Sequence, residues 1–345
     1  MTGLPLVTFV VAGVITVISS LIVFPLLRRA GIVDVPSSRS SHTQVTVRGG
    51  GIAIGGGITI ALIAASTWTI AEEGAYGFGT LFLATGFLVV TWCYSAIGMT
   101  DDLDSLQPVG RLLAQVVLAL VFSACITLVS APGITHALAF AVVGVTLVNA
   151  VNFVDGLNGY VAGWSIVTGG WYAFVAYWIG ENDILLISVA LAGAASGFLP
   201  FNIGRARAFL GDTGSYGIGA AIFAIAVWLF ALGVPIVVVI APLIFVLFDV
   251  GITLVLRLFN GDNVLLPHRK HIYQRIQQSG WTHGMVSLFH CSLTVLACIL
   301  ALPTLLEGNT PSTYPAHVFW VGLLALYALL PMWLNRRTIR KAAYT

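Results

Sequence analysis

The stretch LPLVTFVVAGVITVISSLIVFPLL, residues 4–27, decides the fold class of this chain. It carries no charged residue, and its length suits an α-helix that crosses about 30 Å of hydrocarbon. No basic residue precedes it, no small-residue cleavage site ends it, and Arg28 and Arg29 follow it. These features predict a retained membrane-spanning helix with its N-terminus outside, and not a cleaved signal peptide.

The whole chain has the same apolar character. Of its 345 residues, 58% are hydrophobic and 8% are charged, and the mean hydropathy is +0.99. An ordinary soluble domain has about 25% charged residues, so this composition excludes a soluble globular domain, a disordered chain and a coiled coil. The net charge of +2 provides no basic field, so we expect no nucleic-acid partner. We therefore predict an all-α, polytopic integral membrane protein surrounded by membrane lipids.

The distribution of basic residues predicts the topology. Apolar blocks indicate about eleven spans, at 4–27, 50–70, 79–98, 112–130, 136–151, 160–179, 184–201, 214–232, 234–256, 284–305 and 316–334. With residue 1 outside, this alternation places all 15 Lys and Arg residues on one side of the membrane. The positive-inside rule makes that side cytoplasmic. We predict an N-terminus on the outer, periplasmic side of the membrane and a cytoplasmic C-terminus.

The loops on the cytoplasmic side carry the dense polar clusters. They belong to one predicted transmembrane domain, 1–345, and comprise 28–49, 99–111, 152–159, 202–213 and 257–283. The outside loops are short and hold acidic but no basic residues. A transporter coupled to ions usually has ionisable groups near the middle of its spans, whereas only Asp249 is expected within a helix here. The pattern favours an enzyme whose site faces the cytoplasm.

An acidic cluster, Asp101, Asp102 and Asp104, follows the third predicted span. Carboxylates this close repel one another, and folding alone gives no reason for them. Binding a divalent cation, or retaining a proton as a base, would relieve the repulsion. The alternative is a solvated acidic turn.

Asn149, Asn152 and Asp155 recur every three residues, which places them on one face of a helix. Amides together with a carboxylate suit hydroxyl groups and phosphate oxygens. Gly156 and Gly159 follow and are expected to break the helix and to let the backbone approach a ligand. The alternative is polar packing between helices within the membrane.

The segment Gly-Asp-Thr-Gly-Ser, residues 211–215, immediately precedes an apolar span. Asp212 is therefore expected near a helix N-terminus, where free N–H groups attract phosphate, and its carboxylate suits Mg²⁺. For the hydroxyl groups, the alternative is that Thr213 or Ser215 simply caps the helix.

Two basic segments complete the inventory. The loop with Arg39, His42 and Arg48 ends in glycines, and either binds an anion through exposed backbone N–H groups or only sets the topology.

The second basic segment, residues 267–275, contains His268, Arg269 and His271. A basic cluster that binds a pyrophosphate fits best with the acidic clusters elsewhere. Zinc binding by the two histidines and a purely topological loop are the alternatives.

Taken in order, these motifs resemble the polyprenyl-phosphate N-acetylhexosamine-1-phosphate transferases. The resemblance rests on Asp101-Asp102, residues 149–159, residues 209–215 and the His268/His271 segment, and it covers nearly the whole chain. Residues 39–51 are most similar to the bacterial O-antigen branch. The peptidoglycan enzymes of the family have consecutive histidines where this chain has His268-Arg-Lys-His271, which weighs against a peptidoglycan substrate.

The resemblance implies transfer of a sugar-1-phosphate from a UDP-N-acetylhexosamine to undecaprenyl phosphate, with release of UMP and with Mg²⁺ as cofactor, for which Mn²⁺ could substitute. Two rivals remain open: a peptidoglycan-type phospho-MurNAc-pentapeptide transferase, and a transporter or flippase for a lipid-linked or anionic solute. The sequence does not choose between direct attack and an aspartyl-phosphate intermediate. It also leaves open the sugar, the pathway and whether the chain forms a homodimer.

The resemblance further implies catalytic roles for Asp101, Asp102 and Asp155. Because Mg²⁺ prefers one or two carboxylates plus phosphates and water, we assign the metal to Asp212, with Asp102 as a second candidate ligand. Asp101 is favoured for orienting or deprotonating the lipid phosphate. The expected substrate-binding residues are Arg48, Asn149, Asn152, Asn158, Asn202, Phe209, His268, Arg269 and His271.

Overall fold

Helices dominate the computed structural model, which describes residues 3–36, 44–74, 77–104, 106–130, 134–264, 266, 268–308, 310 and 313–342. Residues 39–42 of the predicted anion-binding loop, and Pro267 of the second basic segment, lie outside these ranges. The strands found in the described chain are a short antiparallel pair, β1 (Val33–Asp34) and β2 (Thr46–Val47). The predicted all-α class is confirmed.

The helices follow the apolar blocks of the sequence. They are α1 (Leu4–Arg29), α2 (Gly51–Glu73), α3 (Gly77–Leu103), α4 (Pro108–Ser130), α5 (Ile134–Val154), α6 (Tyr160–Ile179), α7 (Asn182–Asn202), α8 (Gly211–Ala231), α9 (Ile236–Ile240), α10 (Ile244–Phe259), α11 (Ile272–Gln278), α12 (His283–Glu307) and α13 (Tyr314–Ala342). A 3₁₀ turn at Ala241–Leu243 joins α9 to α10. The span predicted at 234–256 is therefore interrupted at Pro242, whose missing N–H breaks the α-helical hydrogen bonding.

Ten helical segments of the described chain are long and apolar enough to cross a membrane. The predicted span at 160–179 is not among them, although it forms the 20-residue helix α6. Tryptophans, tyrosines and glycines lower its mean hydropathy. At 1.5 Å per residue the helix is still about 30 Å long, so its length suits a crossing.

Hydrogen bonds at the two ends of the bundle indicate that α6 runs from one end to the other. Thr80, near the start of α3, donates to Asp183, near the start of α7, at 2.6 Å. At the opposite end of α7, the Gly204 carbonyl accepts a 2.8 Å hydrogen bond from Asn158, which precedes α6. Because α6 begins beside the end of α7 and leads to its start, it traverses the same depth as α7.

The bundle is built around α8. In its most apolar window, 83% of the α8 residues are buried, against 17% in the last span, at 317–334. Helices α2, α3 and α5 pack against α8 through small residues. A Cβ atom added at Gly51 would lie 2.1 Å from the Cα atom of Gly214. Glycines therefore let the helix backbones touch around the N-terminus of α8.

The predicted orientation is open to a direct experiment. We expect a reporter fused after Thr345 to be active only when it is a type that works in the cytoplasm, because the alternation places every Lys and Arg on that side. A matched fusion after Gly180, between α6 and α7, should be active only in its periplasmic form. A periplasmic signal from the Thr345 fusion would refute the orientation.

Candidate active site

A carboxylate from α3 caps the N-terminus of α8. The Asp102 side chain is fully buried and accepts the backbone N–H groups of Asp212, at 3.0 Å, and Thr213, at 2.9 Å. The Thr213 hydroxyl donates to the same carboxylate at 2.7 Å. These bonds satisfy N–H groups that the helix leaves unpaired, and the negative charge complements the positive end of the helix dipole. Asp102 therefore ties the end of α3 to the start of α8.

Arg48 bridges Asp102 and Asp212. Its Nε atom lies 2.6 Å from the Asp102 carboxylate, and its Nη2 atom lies 3.3 Å from that of Asp212. Strand β2 sets this position, because the N–H group of Phe209 donates to the Val47 carbonyl at 2.8 Å. The Arg48 side chain stays 36% exposed, so part of the guanidinium group is available to an anionic ligand.

Several backbone N–H groups in the described parts of both predicted phosphate-binding segments already have partners. Those at the start of α8 donate to Asp102, and those of Arg48, Gly50 and Gly51 donate to carbonyl groups of neighbouring loops. These N–H groups therefore dock the loops and helix ends on each other and are not free to bind an anion. No side chain of α8 caps its own helix, because Asp102 fills that role from α3.

Asp101, the residue before Asp102 in α3, belongs to the same group of charged side chains. Its carboxylate accepts the Leu106 N–H at 2.8 Å and pairs with Arg111 at 2.5 Å. It also lies close enough to the Asp212 carboxyl group for the two to interact electrostatically. Two ionised carboxylates at this separation repel each other, so a bound cation would stabilise the pair. Asp104 is exposed at the end of the helix.

The end of α5 supplies an amide and a further carboxyl group. The Asn152 amide donates to Asp212 at 2.8 Å and to Ser215 at 3.0 Å. Burial, reinforced by the negative charges of Asp212 and Asp102, raises the pKa of Asp155 well above its ordinary value. Within the described chain, no hydrogen bond to the Asp155 carboxyl group offsets this effect. The raised pKa favours the protonated form of Asp155, which is able to donate a hydrogen bond to a ligand.

Two of the predicted substrate-binding side chains hydrogen-bond to other parts of the protein. The Asn149 amide donates to the side chain of Gln115 on α4, which is the polar packing between helices that we considered as the alternative. The Asn158 amide donates to the Gly204 carbonyl at 2.8 Å. Both side chains fix helix ends around the site.

Asn202 and Phe209 have supporting positions in the segment before α8. Asn202, which is 5% exposed, accepts the Gly159 N–H at 2.8 Å and donates to the Ala208 carbonyl at 3.0 Å. The backbone of Phe209 pairs with β2, while its side chain is partly exposed. Of these two side chains, the Phe209 ring is the more exposed.

A second polar pair lies beside the end of α5. His271 precedes α11, and its Nδ1 atom is 3.1 Å from the Asp249 carboxylate on α10. The His271 ring stacks on Phe153, with ring centroids 6.1 Å apart, and Phe153 follows Asn152 in the chain. Asp249 lies within a helix as expected, but no partner for it was predicted. A lone acid in an apolar span was the signal that could have pointed to this role.

The remaining residues of the basic segment lie near the C-terminal end of α10. Burial, together with the charges of His271, Arg257 and Lys270, lowers the pKa of His268 to about 4, so its ring is neutral at physiological pH. The described residues include no group of three His, Cys, Asp or Glu side chains that could hold a metal ion. Arg269 is exposed and helps to line a basic cavity of about 390 Å³.

Close helix packing beneath the cluster gives a testable prediction. We expect Gly98→Ala to abolish most activity, because its Cβ atom would lie 2.1 Å from the Asp212 carbonyl oxygen and would push α8 away from α3. Overpacking of this kind costs about 1–3 kcal/mol. Gly86→Ala on the same helix is the control, since nothing lies within 4 Å of its added Cβ atom. Thermal unfolding and turnover of both variants test it, and equal activity would contradict the proposed contact.

Comparison with known proteins identifies the family to which this chain belongs. The profile of glycosyl transferase family 4 matches residues 84–230, which include Asp101, Asp102, Asp155 and Asp212. A decaprenyl-phosphate N-acetylglucosaminephosphotransferase of Mycolicibacterium smegmatis is 31% identical over 79% of this chain and 75% of its own length. This chain belongs to glycosyl transferase family 4. The predicted resemblance to the polyprenyl-phosphate hexosamine-1-phosphate transferases is confirmed.

Other relatives extend the family match beyond its central region. A "Probable undecaprenyl-phosphate N-acetylglucosaminyl 1-phosphate transferase" of Bacillus subtilis is 28% identical over 94% of this chain and 90% of its own length. A phospho-N-acetylmuramoyl-pentapeptide-transferase of Anoxybacillus flavithermus is 29% identical over 84% and 94%, respectively. Membership of glycosyl transferase family 4 and the apolar helices together make this a multi-pass membrane protein of a prenyl-phosphate sugar-phosphate transferase family.

Proposed function

We propose that this protein transfers an N-acetylhexosamine-1-phosphate from a UDP-sugar to undecaprenyl phosphate and releases UMP. The observation that carries the proposal is the cluster of Arg48, Asp101, Asn152, Asp155 and Asp212. Four separate segments of the chain, three of them helix ends, bring these residues together at one end of the bundle. Two phosphate groups must approach each other in this reaction, so cationic groups that screen their charge and carboxyl groups that position them are what it requires.

The residues present suit Mg²⁺. The Asp101 and Asp212 carboxyl groups approach each other, and the Asp212 side chain is 18% exposed at the cluster surface. Mg²⁺ is commonly held by one or two carboxylates together with substrate phosphates and water, so a complete protein cage is not required. Asp212 would hold the ion, with Asp101 beside it, and Mn²⁺ would serve in its place. When bound, the ion would neutralise charge on the reacting phosphates.

The protein side chains have distinct proposed tasks. The exposed part of Arg48 binds the diphosphate of the UDP-sugar. Asp101, held by Arg111 and the Leu106 N–H, orients the lipid phosphate. Protonated Asp155 donates a hydrogen bond to a phosphate oxygen or a sugar hydroxyl. Asp102 is buried behind Thr213 and acts on the site by positioning α8 and Arg48, so we no longer propose it as a metal ligand.

The two named relatives that act on N-acetylglucosamine support this class of sugar. We propose that the lipid-linked pyrophosphoryl sugar initiates an O-antigen or another cell-envelope glycan. The protein would lie in the inner membrane, and its site would face the cytoplasm, where UDP-sugars are made. The chain would work alone or as a homodimer.

The deciding experiment uses the purified full-length protein with undecaprenyl phosphate, Mg²⁺ and a panel of UDP-sugars. We expect UMP release with a UDP-N-acetylhexosamine and formation of the lipid product. UMP release only with UDP-MurNAc-pentapeptide would make it a peptidoglycan enzyme. Movement of a lipid-linked solute across vesicles without UMP release would support a transporter and overturn the proposal.

A further inference from the structure

A basic cavity of about 390 Å³ lies between the last two turns of α10, the segment that follows them, and α11. Its volume falls in the range of about 300–1,000 Å³ that is usual for small-ligand sites. The described residues that line it include no acidic residue and four basic ones: Arg257, Arg269, Lys270 and Arg275. The residues of the proposed reaction site, Arg48, Asp101, Asn152, Asp155 and Asp212, are not among the lining residues, and neither are His268 and His271. The cavity is therefore separate from the proposed reaction site.

The most deeply buried of the four basic side chains has a nitrogen atom without a hydrogen bond. Arg257, in the last turn of α10, is 5% exposed. Its Nη1 atom donates to the Val264 carbonyl and its Nη2 atom to the Leu266 carbonyl, both at 3.2 Å. Its Nε atom makes no hydrogen bond within the described chain, and the Asp262 carboxylate lies 3.8 Å from it. A buried cation that is incompletely paired is costly, so an anion in the cavity would stabilise it.

The neighbouring carboxylate offsets only part of the positive charge. Asp262 pairs with Lys270 and also approaches Arg257. Arg275, in the last turn of α11, is partly exposed, and Arg269 is exposed. One carboxylate beside four basic side chains leaves an excess of positive charge, which suits a phosphate group.

Apolar side chains beside the cavity indicate that this phosphate group belongs to a lipid. Leu256 lines the cavity and is exposed, and Phe259, in the same turn of α10, is 85% exposed. Leu266, in the segment after α10, is 60% exposed. A soluble anion would gain nothing from these side chains, whereas a lipid whose headgroup occupies the cavity would lay its acyl chains against them.

We propose that this cavity binds the headgroup of an anionic phospholipid of the bilayer. It lies at the end of α10 that is predicted to be cytoplasmic, and the cytoplasmic leaflet of a membrane carries negative charge. The bound phosphate joins α10 to α11, because Arg257 and Arg275 belong to different helices. This inference goes beyond the proposed function and holds whichever reaction the protein performs.

Native mass spectrometry of the purified full-length protein with added lipid tests the proposal. We expect the wild type to bind phosphatidylglycerol at least about tenfold more tightly than phosphatidylcholine, which has the same phosphate but no net charge. Arg269→Gln/Arg275→Gln should weaken phosphatidylglycerol binding at least about tenfold, because each basic side chain near an anionic lipid contributes about fivefold. Its binding of phosphatidylcholine should not change. Equal binding of the two lipids by the wild type would overturn the proposal.

The matched control is Arg205→Gln/Arg207→Gln. These two arginines are also exposed and lie between α7 and α8, but they do not line the cavity. The control should bind phosphatidylglycerol like the wild type. A loss equal to that of Arg269→Gln/Arg275→Gln would show attraction by charge in general, without a specific site, and would contradict the proposal.

Competition distinguishes a bilayer lipid from other sources of phosphate. An excess of inorganic phosphate or of UDP-N-acetylglucosamine should leave the bound phosphatidylglycerol in place, because neither carries acyl chains. Displacement by either of them, or by a small molar fraction of undecaprenyl phosphate, would make the cavity a substrate site and the proposal wrong.

Thermal unfolding in detergent gives a second readout. A ligand that binds only the folded state raises the unfolding temperature. Added phosphatidylglycerol should therefore raise that of the wild type and of the control more than that of Arg269→Gln/Arg275→Gln. Equal shifts in all three proteins would count against the site. Failure of the wild type to release UMP would refute the proposed function and leave these binding results unchanged.

Discussion

Asp212→Asn should reduce turnover at least about a hundredfold, which is a typical loss when one contact to the transition state is removed. The carboxylate lies 3.3 Å from Arg48, beside Asp101, and is the partly exposed acid at the start of α8. Asparagine keeps the shape and one oxygen, so a weakened metal site should refill by mass action. We therefore expect higher Mg²⁺, or added Mn²⁺, to restore part of the activity.

Asp101→Asn should respond differently. Its carboxylate pairs with Arg111 and is proposed to orient the lipid phosphate, so extra metal should not restore activity. Raising the pH should help instead, because a larger fraction of the lipid phosphate is then fully ionised without assistance. Rescue of Asp101→Asn by metal, combined with no rescue of Asp212→Asn, would reverse the two assignments.

The control for both variants is Asp183→Asn. Asp183 is also a carboxylate near the start of a span, but it lies at the other end of the bundle, where it accepts a hydrogen bond from Thr80. Turnover should stay near that of the wild type. UMP release as a function of Mg²⁺ and pH for the three variants is the required measurement.

The membrane spans could be predicted wherever apolar residues dominate a stretch long enough to cross a membrane. Apolar blocks located the spans, but α6 shows the limit, because its aromatic and glycine residues suit burial against α7 and α12 and depress its hydropathy. The carboxylates of the site were also found from sequence, since charge at the end of an apolar span is costly and needs a reason.

The partners of those side chains were not predictable. Asn149 and Asn152 share a helix face, yet one donates to Gln115 and the other to Asp212. Only the packing of α4 and α8 on either side of α5 separates their roles. Likewise, Asp102 and Asp101 are neighbours in sequence, but consecutive positions on a helix point in different directions. One therefore caps α8, and the other faces Arg111.

This difference leads to a prediction about stability. Asp102→Asn should lower the free energy of unfolding by about 3–5 kcal/mol, the usual cost of breaking a buried ion pair from one side. The fully buried carboxylate accepts two backbone N–H groups and the Thr213 hydroxyl and pairs with Arg48. The NH₂ group of an asparagine is a donor, and it would face other donors where a carboxylate oxygen now accepts. The start of α8 would lose its cap.

The loss should appear as a lower thermal unfolding temperature in detergent, together with a loss of activity that neither metal nor pH restores. Asp104→Asn, two residues away and exposed, should unfold like the wild type. Arg48→Met should lose part of the same stability, and the double variant Arg48→Met/Asp102→Asn should be less unstable than the sum of the two changes, because the residues share one contact. Additive losses, or a wild-type unfolding temperature for Asp102→Asn, would show that this carboxylate does not hold α3, Arg48 and α8 together.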